Sequence, residues 1–341
     1  MPLRAGPRLE SNWGVHKFSC DACHGPLFFE NTLCGRCGRA VAYFSDPGAM
    51  GVLEGKPCRP CRNYEVENVC NWVVPIDEGS DYCRSCRLTR VIPDLEDPNN
   101  RERWRRIELA KRRLLCTLFE LGLPVIGRDE DEAAGLAFEF RADAPGTEGA
   151  VMTGHDEGVI TLNVVEADDD ERERRRLQMH EPYRTLLGHF RHEIGHYYWD
   201  VLVRNSTRLD DWRRMFGDET TDYSVSLQRH YEQGPPSDWQ QRFVSTYASS
   251  HPWEDWAETW AHYLHMIDTL DTAAASGIAL ELQGSPAQAE FDLLVRDWLE
   301  LTCVLNNLNR SMGLQDAYPF VLSTAALEKL RFVHELVAGA R

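Results

Sequence analysis

The stretch "FRHEIGHYYWDVL", residues 190–202, sets two histidines four positions apart with a glutamate directly after the first. Residues four apart on a helix stand one turn above each other on one face, so His192 and His196 can aim imidazole nitrogens at a single zinc ion. Glu193 then points to the edge of that site, where a water would sit, which is the arrangement of metal-assisted hydrolysis. A catalytic zinc takes three protein ligands and keeps its fourth position open. The segment "HPWEDWAETWAHYLHM", residues 251–266, can supply the third. Glu254 and Glu258 are i,i+4, His262 and Met266 continue the same face, and Trp256, Trp260 and Tyr263 bring bulk for burial. Carboxylates on a tryptophan-rich helix are costly to bury unless a cation pairs with them. By spacing alone the ligand is Glu254, or it is Glu258 with Glu254 or His262 in support.

Eleven cysteines form a second pattern, nine of them between Cys20 and Cys86 and the others at Cys116 and Cys303. "CDACHGPLFFENTLCGRCG" places Cys20, Cys23, Cys34 and Cys37 as two C-x2-C pairs, the spacing of a zinc ribbon, with a glycine after the second pair. A module this small buries little apolar surface, so the metal would supply its folding energy. The following run, "CRPCRNYEVENVCNWVVPIDEGSDYCRSCRLTRVIPDL", holds five cysteines for four places. Cys83 and Cys86 make one pair. Their partners are Cys58 and Cys61, which spacing favours, or Cys61 and Cys70. Thiols left over read as small buried hydrophobes.

Charge bears on what such modules bind. Residues 1–100 hold 11 Lys and Arg against 13 Asp and Glu, and the whole chain carries −17, so residues 101–341 carry −15. Thiolates around zinc add further negative charge, and no basic footprint for a phosphate backbone remains. The one basic run, "RERWRRIELAKRRLL", keeps its apolar positions at helical spacing and reads as a solvated helix face. No apolar run approaches the ~20 residues that cross a bilayer, and the first 17 residues lack the apolar middle of a secretory signal. The expected setting is the cytoplasm, where cysteines serve metals better than disulfides.

Elements must position these groups. Prolines, asparagines and acids over residues 91–101 mark a linker, after which Trp104, Ile107, Leu114, Leu115, Leu118 and Leu121 make one helical stripe. "LAFEF" and "GVITLNVVEA" read as strands of a small sheet within residues 136–166, with "GHDEG" as a turn. Beyond Arg172 the pattern is helical. "GVITLNVV" is expected at a sheet edge, where an extended peptide could add a strand. Residues 205–250 lie between the two ligand segments and are expected to wall or cover a pocket.

Four blocks, "CRNYEVENVCNWVVP", "CRSCRLTRVIPDLEDPNN", "HEIGHYYWD" and "HPWEDWAETWAHYLH", together resemble bacterial zinc-binding metallopeptidases that carry an N-terminal zinc-ribbon region. The resemblance spans nearly the whole chain. It implies an α+β architecture: a zinc ribbon at residues 1–50, a second zinc-binding module at 51–95, and a mainly helical gluzincin-type zincin domain with a small sheet at 101–341. It implies Cys61, Cys70, Cys83 and Cys86 as the second zinc set. "EDWAE" is similar to the ExxAE arrangement of gluzincins, which implies Glu254 as zinc ligand and Glu258 as support for a ligand histidine. Tyr247, seven residues before Glu254, matches a tyrosine that hydrogen-bonds the tetrahedral intermediate in lethal-factor-like enzymes.

The resulting expectation is a zinc hydrolase with one catalytic and two structural Zn²⁺, acting on a protein or peptide. His192, His196 and Glu254 hold the metal, Glu193 is the general base and Tyr247 assists. Two other classes share these residues. One is an amidase or isopeptidase with a different pocket. The other is an adaptor that recruits a protein through its ribbons and carries an inactive zincin scaffold, against which the intact His192, Glu193, His196 and Glu254 argue. Nucleic acid and membrane are not expected partners.

Overall fold

The computed structural model describes residues 18–143, 151, 153–178, 185–282 and 284–340. The N-terminal 17 residues, on which the reading of a missing signal rests, lie outside them. The cysteine-rich part is built from three short antiparallel pairs: β1 (Phe18–Ser19) with β2 (Pro26–Leu27), β3 (Val41–Phe44) with β4 (Ala49–Val52), and β5 (Cys58–Pro60) with β6 (Val73–Pro75). Helix α1 (Arg62–Glu65) lies between β5 and β6. Sheets of two strands cannot hold themselves together in water. Here Tyr43, Phe29 and Trp72 fill the space between them, with ring centroids 5.1 and 4.9 Å apart.

Helix α2 (Pro98–Glu120) starts as its sequence dictates, with Pro98 in the first turn and the Asp97 side chain accepting from Asn99 N–H. Trp104, Ile107, Leu114, Leu115, Leu118 and Leu121 are all buried, as the stripe requires. The basic run along this helix is not simply a solvated face. Lys111 and Arg112 are buried, Lys111 donating to Ser85 O and pairing with Glu108 at 2.9 Å, Arg112 donating to Val69 O at 2.8 Å. The carbonyls they reach belong to the cysteine-rich segment, so these charges dock α2 onto it.

Four strands form the main sheet in the order β7-β8-β10-β9. β7 (Thr89–Val91) comes from the end of the cysteine-rich segment and runs parallel to β8 (Ala137–Arg141), which runs parallel to β10 (Val159–Asn163). The expected turn "GHDEG" is a hairpin instead. Gly154–Asp156 pair as β9 against β10, leaving Glu157 and Gly158, both at positive φ, as the two-residue reversal. β10 is therefore interior to the sheet, with β8 on one side and β9 on the other, and the edge expected of it belongs to β9.

From Asp169 onward the described residues form no strand. The helices are α3 (Asp169–Gln178), α4 (Leu186–Leu202), α5 (Leu209–Phe216), α6 (Tyr223–Gln233), α7 (Trp239–Arg242), α8 (Pro252–Ala275), α9 (Phe291–Ser311) and α10 (Thr324–Gly339). α4 packs Phe190 beneath Phe138 and Phe140 of the sheet at 5.7 and 6.3 Å, and α8 crosses its other side. The crossing is close because Gly195 has no side chain: a Cβ there would stand 3.0 Å from Ala257 Cα and 3.1 Å from Trp260 Cβ. Trp256 Nε1 donates to Gly195 O at 2.7 Å, and Tyr198 stacks on Trp260 at 4.9 Å. α10 backs α8, with Lys329 paired to buried Asp255 at 2.6 Å. Among the described residues no helix is long and apolar enough to cross a membrane.

Gly195→Val adds branched carbon where Ala257 backbone already fills the space. It is expected to cost about 1–3 kcal/mol, lowering the melting temperature by about 2–4 °C per kcal/mol. A thermal melt with an unchanged midpoint would show that the α4–α8 spacing is not constrained as described.

Candidate metal centres

Three groups of metal-binding side chains converge among the described residues: Cys20, Cys23, Cys34 and Cys37; Cys61, Cys70, Cys83 and Cys86; and His192, His196 and Glu254, each with its donor atoms within 4.8 Å of one another. Geometry tests whether zinc fits them. Sulfurs about 2.3 Å from a tetrahedral zinc stand about 3.8 Å apart, and nitrogen or oxygen donors at about 2.05 Å stand about 3.3 Å apart. Cys20 and Cys37 Sγ are 3.9 Å apart, Cys23 and Cys34 Sγ 3.6 Å, and Cys70 and Cys83 Sγ 3.8 Å. His192 and His196 Nε2 are 3.3 Å apart, and Glu254 Oε2 lies 3.0 and 3.8 Å from them. All three groups fit.

Local backbone prepares the thiolates. Cys34 is held below the ordinary thiol range, chiefly by the N–H groups of Cys37 and Arg36, and Gly38 at positive φ completes that turn. In the second group, Trp72 N–H points at Cys70 Sγ and Cys83 N–H at Cys61 Sγ, both at 3.4 Å. Burial alone would lower the pKa of Arg112, but Cys70, Glu108, Cys86 and Cys83 around it keep its charge in place. The guanidinium is thus the buried countercharge of this group. Cys58, which spacing favours as a ligand, stands half-buried on β5 outside the group, and Cys70 takes its place. The reason is topological: β5 pairs Cys58 with Pro75 of β6, and the chain turns toward the cluster at Cys61, the residue preceding α1.

The third group draws on two helices. His192 and His196 come from α4, one turn apart, and Glu254 and Glu258 from the first turns of α8, so the Gly195 crossing sets the distance between them. His192 Nδ1 meets Glu258 Oε1 at 2.7 Å, which leaves Nε2 for the site, and Ser245 Oγ donates to Glu258 Oε2 at 2.6 Å. Glu258 therefore orients a histidine while its own carboxylate is fixed from behind. Glu254 is 2% exposed, and its Oε2 faces the two imidazole nitrogens. Burial raises its pKa, but His196 and His192 beside it, with the Tyr223 hydroxyl, bring it down to about 2. Burial holds His196 down to about 4, whereas against the same burial Glu254 and Glu258 hold His192 well above the usual imidazole range. Glu193 is buried next to this group, and desolvation lifts its carboxyl to about 7.

His262, the other support considered for a ligand carboxylate, is engaged with the Tyr318 hydroxyl instead. The Tyr247 ring lies 5.9 Å from that of His192. Sequence reasoning missed three neighbours. Tyr223 donates to Glu254 Oε1 at 2.8 Å, Ser245 holds Glu258, and His155 of β9 stacks 6.2 Å from His196. The only signal for Tyr223 and Ser245 was their place within residues 205–250, and His155 lay hidden in the expected turn.

Residues 100–336 match a family model described as "Putative zinc-binding metallo-peptidase", and residues 17–97 match that of a zinc-ribbon domain. Uncharacterized proteins of Mycobacterium tuberculosis, strains H37Rv and CDC 1551, and of Mycobacterium bovis are each 46% identical to the chain over 335 residues, covering 95% of it and 95% of the relative. No solved structure matches it. The chain belongs to this family of zinc-binding metallo-peptidases and carries the zinc-ribbon region ahead of the family's segment.

If all three groups fill, elemental analysis of the purified full chain will give close to three zinc ions. The four-thiolate sites should resist a mild chelator and the histidine–carboxylate site should release first, since catalytic sites keep an open position. Fewer than two chelator-resistant zincs would remove one cysteine group from the assignment.

Proposed function

We propose that the chain is a zinc-dependent metallopeptidase that hydrolyses a peptide bond at the site built by α4 and α8, in a hydrolase domain of residues 101–341 preceded by zinc modules at 1–50 and 51–95. The observation that carries this reading is Glu254 Oε2, a buried carboxylate oxygen set at tetrahedral-edge distances from two imidazole nitrogens. Zinc held by His192, His196 and Glu254 would supply Lewis acidity toward both the attacking water and the scissile carbonyl.

The chain's own groups do the rest. Glu193, adjacent in sequence to a ligand and desolvated, takes the proton from the attacking water and delivers it to the leaving amine. A carboxyl beside the site can do both, taking the proton in one step and returning it in the next. Tyr247 donates to the oxyanion as the carbonyl becomes tetrahedral. Glu258 keeps the His192 ring turned with Nε2 into the site. β9 is the edge strand, and His155 on it lies against His196. An extended peptide pairing with β9 would therefore pass the metal, which supports a peptide substrate over a compact small molecule.

Two sets of variants test the roles. Glu193→Gln is expected to keep its zinc and fold while losing at least ~100-fold in hydrolysis; wild-type turnover of any substrate the native chain cleaves would exclude Glu193 as the base. Comparing protein N-termini in cells that carry either form would find that substrate. Glu254→Gln is expected to lose the exchangeable zinc, whereas Glu258→Gln weakens it by ~10 to 100-fold with three ligands still in place. Zinc titration showing the reverse order would make Glu258 the ligand.

A further inference from the structure

Among the described residues α6 has no buried member, and Tyr223 at its start is 38% exposed. The Tyr223 hydroxyl nevertheless reaches Glu254, which is 2% exposed, and donates to Oε1 at 2.8 Å. An exposed segment thus touches a buried group at one point. What holds it there can be followed atom by atom. His251 caps α8 with its side chain, and Nδ1 accepts from Trp253 N–H at 3.1 Å. That bond makes Nδ1 the acceptor and leaves the hydrogen on Nε2, which lies 3.0 Å from Thr221 O and donates to it. Asp222 then caps α6 by accepting from Val225 N–H at 2.9 Å, and the Tyr223 ring stands edge-on to His251 at 5.2 Å. The strap of residues 221–223 is therefore fastened to the same α8 turn that presents Glu254, three residues after His251.

The consequence falls on the two oxygens of one carboxylate. Oε1 is taken by the Tyr223 hydroxyl, and Oε2 faces His192 and His196 Nε2 at 3.0 and 3.8 Å. A free carboxylate can offer a zinc ion one oxygen or both. With Oε1 turned to the tyrosine, Oε2 is the oxygen presented to the two imidazoles.

We propose that Tyr223 is a positioning residue for the metal: it restricts Glu254 to a single coordinating oxygen and, by anchoring that carboxylate from the 221–223 strap, slows release of the zinc. The inference rests on the metal site proposed above and adds a residue that neither the family's motif nor the spacing of the chain points to. Tyr247 shares the neighbourhood and its hydroxyl interacts with that of Tyr223, but the hydrogen bond to Glu254 is made by Tyr223.

The test uses the full chain with both cysteine groups zinc-filled and the third site loaded with zinc or, for spectra, with cobalt. Tyr223→Phe keeps the ring against His251 and removes only the hydroxyl. It is expected to weaken zinc in chelator competition by ~10 to 100-fold, the usual effect of losing a group that orients a ligand, and to release it correspondingly faster. The cobalt form should show a weaker visible band, because a second oxygen raises the coordination number. Circular dichroism and melting of the metal-free third site report whether the fold is intact. Wild-type zinc affinity and cobalt spectrum in Tyr223→Phe, with Glu254→Gln losing the metal, would overturn the role of Tyr223 and leave the metal site standing. Retention of zinc by Glu254→Gln as well would overturn both. Should Tyr223→Phe fold poorly, Asp222→Ala, which loosens the start of α6 and leaves the α8 cap at His251 in place, is expected to speed zinc release in the same direction, and an unchanged rate would count against the proposal.

Discussion

The distance between α4 and α8 governs this molecule. Two imidazoles on one helix and a carboxylate on another form a site only if their backbones come close enough for short side chains to meet, and Gly195 against Ala257 sets that approach. Trp256 and Trp260 then seal the crossing from either side, Trp256 by donating to the Gly195 carbonyl itself. Each fully buried tryptophan removes roughly 200 Å² from water, worth on the order of 5 kcal/mol. That is comparable to the several kcal/mol charged by burying one carboxylate. The tryptophans of α8 are thus what makes the acids of α8 tolerable, and the alternation of the two residue types along one helix has a thermodynamic reason.

The acids also divide their tasks by what faces them. Glu254 has imidazoles and a phenol around it and is ionised far below neutrality. Glu193, one residue along α4 from His192, is lifted to about 7 chiefly by burial, with His192 and His189 pulling it down and Glu254 and Glu166 pushing it up. Glu258 is held by His192 and Ser245, and its carboxyl lies below the ordinary range although burial pushes the other way. Three glutamates within one small volume therefore present three different chemistries, and the difference comes from neighbours rather than from residue type.

Local spacing made part of this legible. The i,i+4 histidines, the C-x2-C pairs other than Cys58–Cys61 and the apolar stripe of α2 are short-range patterns, and the structure brings those residues together where the patterns place them. What sequence could not express was long-range. "GHDEG" looks like a turn because glycine and aspartate disfavour strands, yet pairing with β10 overrides that preference for its first three residues. β10 looked like an edge because nothing in its sequence reveals β9 beside it. Lys111 and Arg112 looked solvated because their burial depends on carbonyls at Ser85 and Val69, far away in the chain. Tyr223 is separated from Glu254 by 31 residues and carries no motif. In each case the missing information was the identity of a partner, which composition and period do not contain.

The docking of α2 on the cysteine-rich segment bears on how such a protein can evolve. Arg112 and Lys111 are buried charges that share Glu108 of their own helix but draw their other partners, the Val69 and Ser85 carbonyls and the sulfurs of Cys70, Cys83 and Cys86, from across the junction. β7 crosses the same junction to lie beside β8 in the main sheet. A ribbon taken from another protein would meet α2 with two buried cations sharing one carboxylate, Glu108, and a sheet missing a strand. Exchange by recombination at residues 91–101, where composition alone suggests a free linker, is therefore blocked by energetics, and the two parts must change in step, residue against residue.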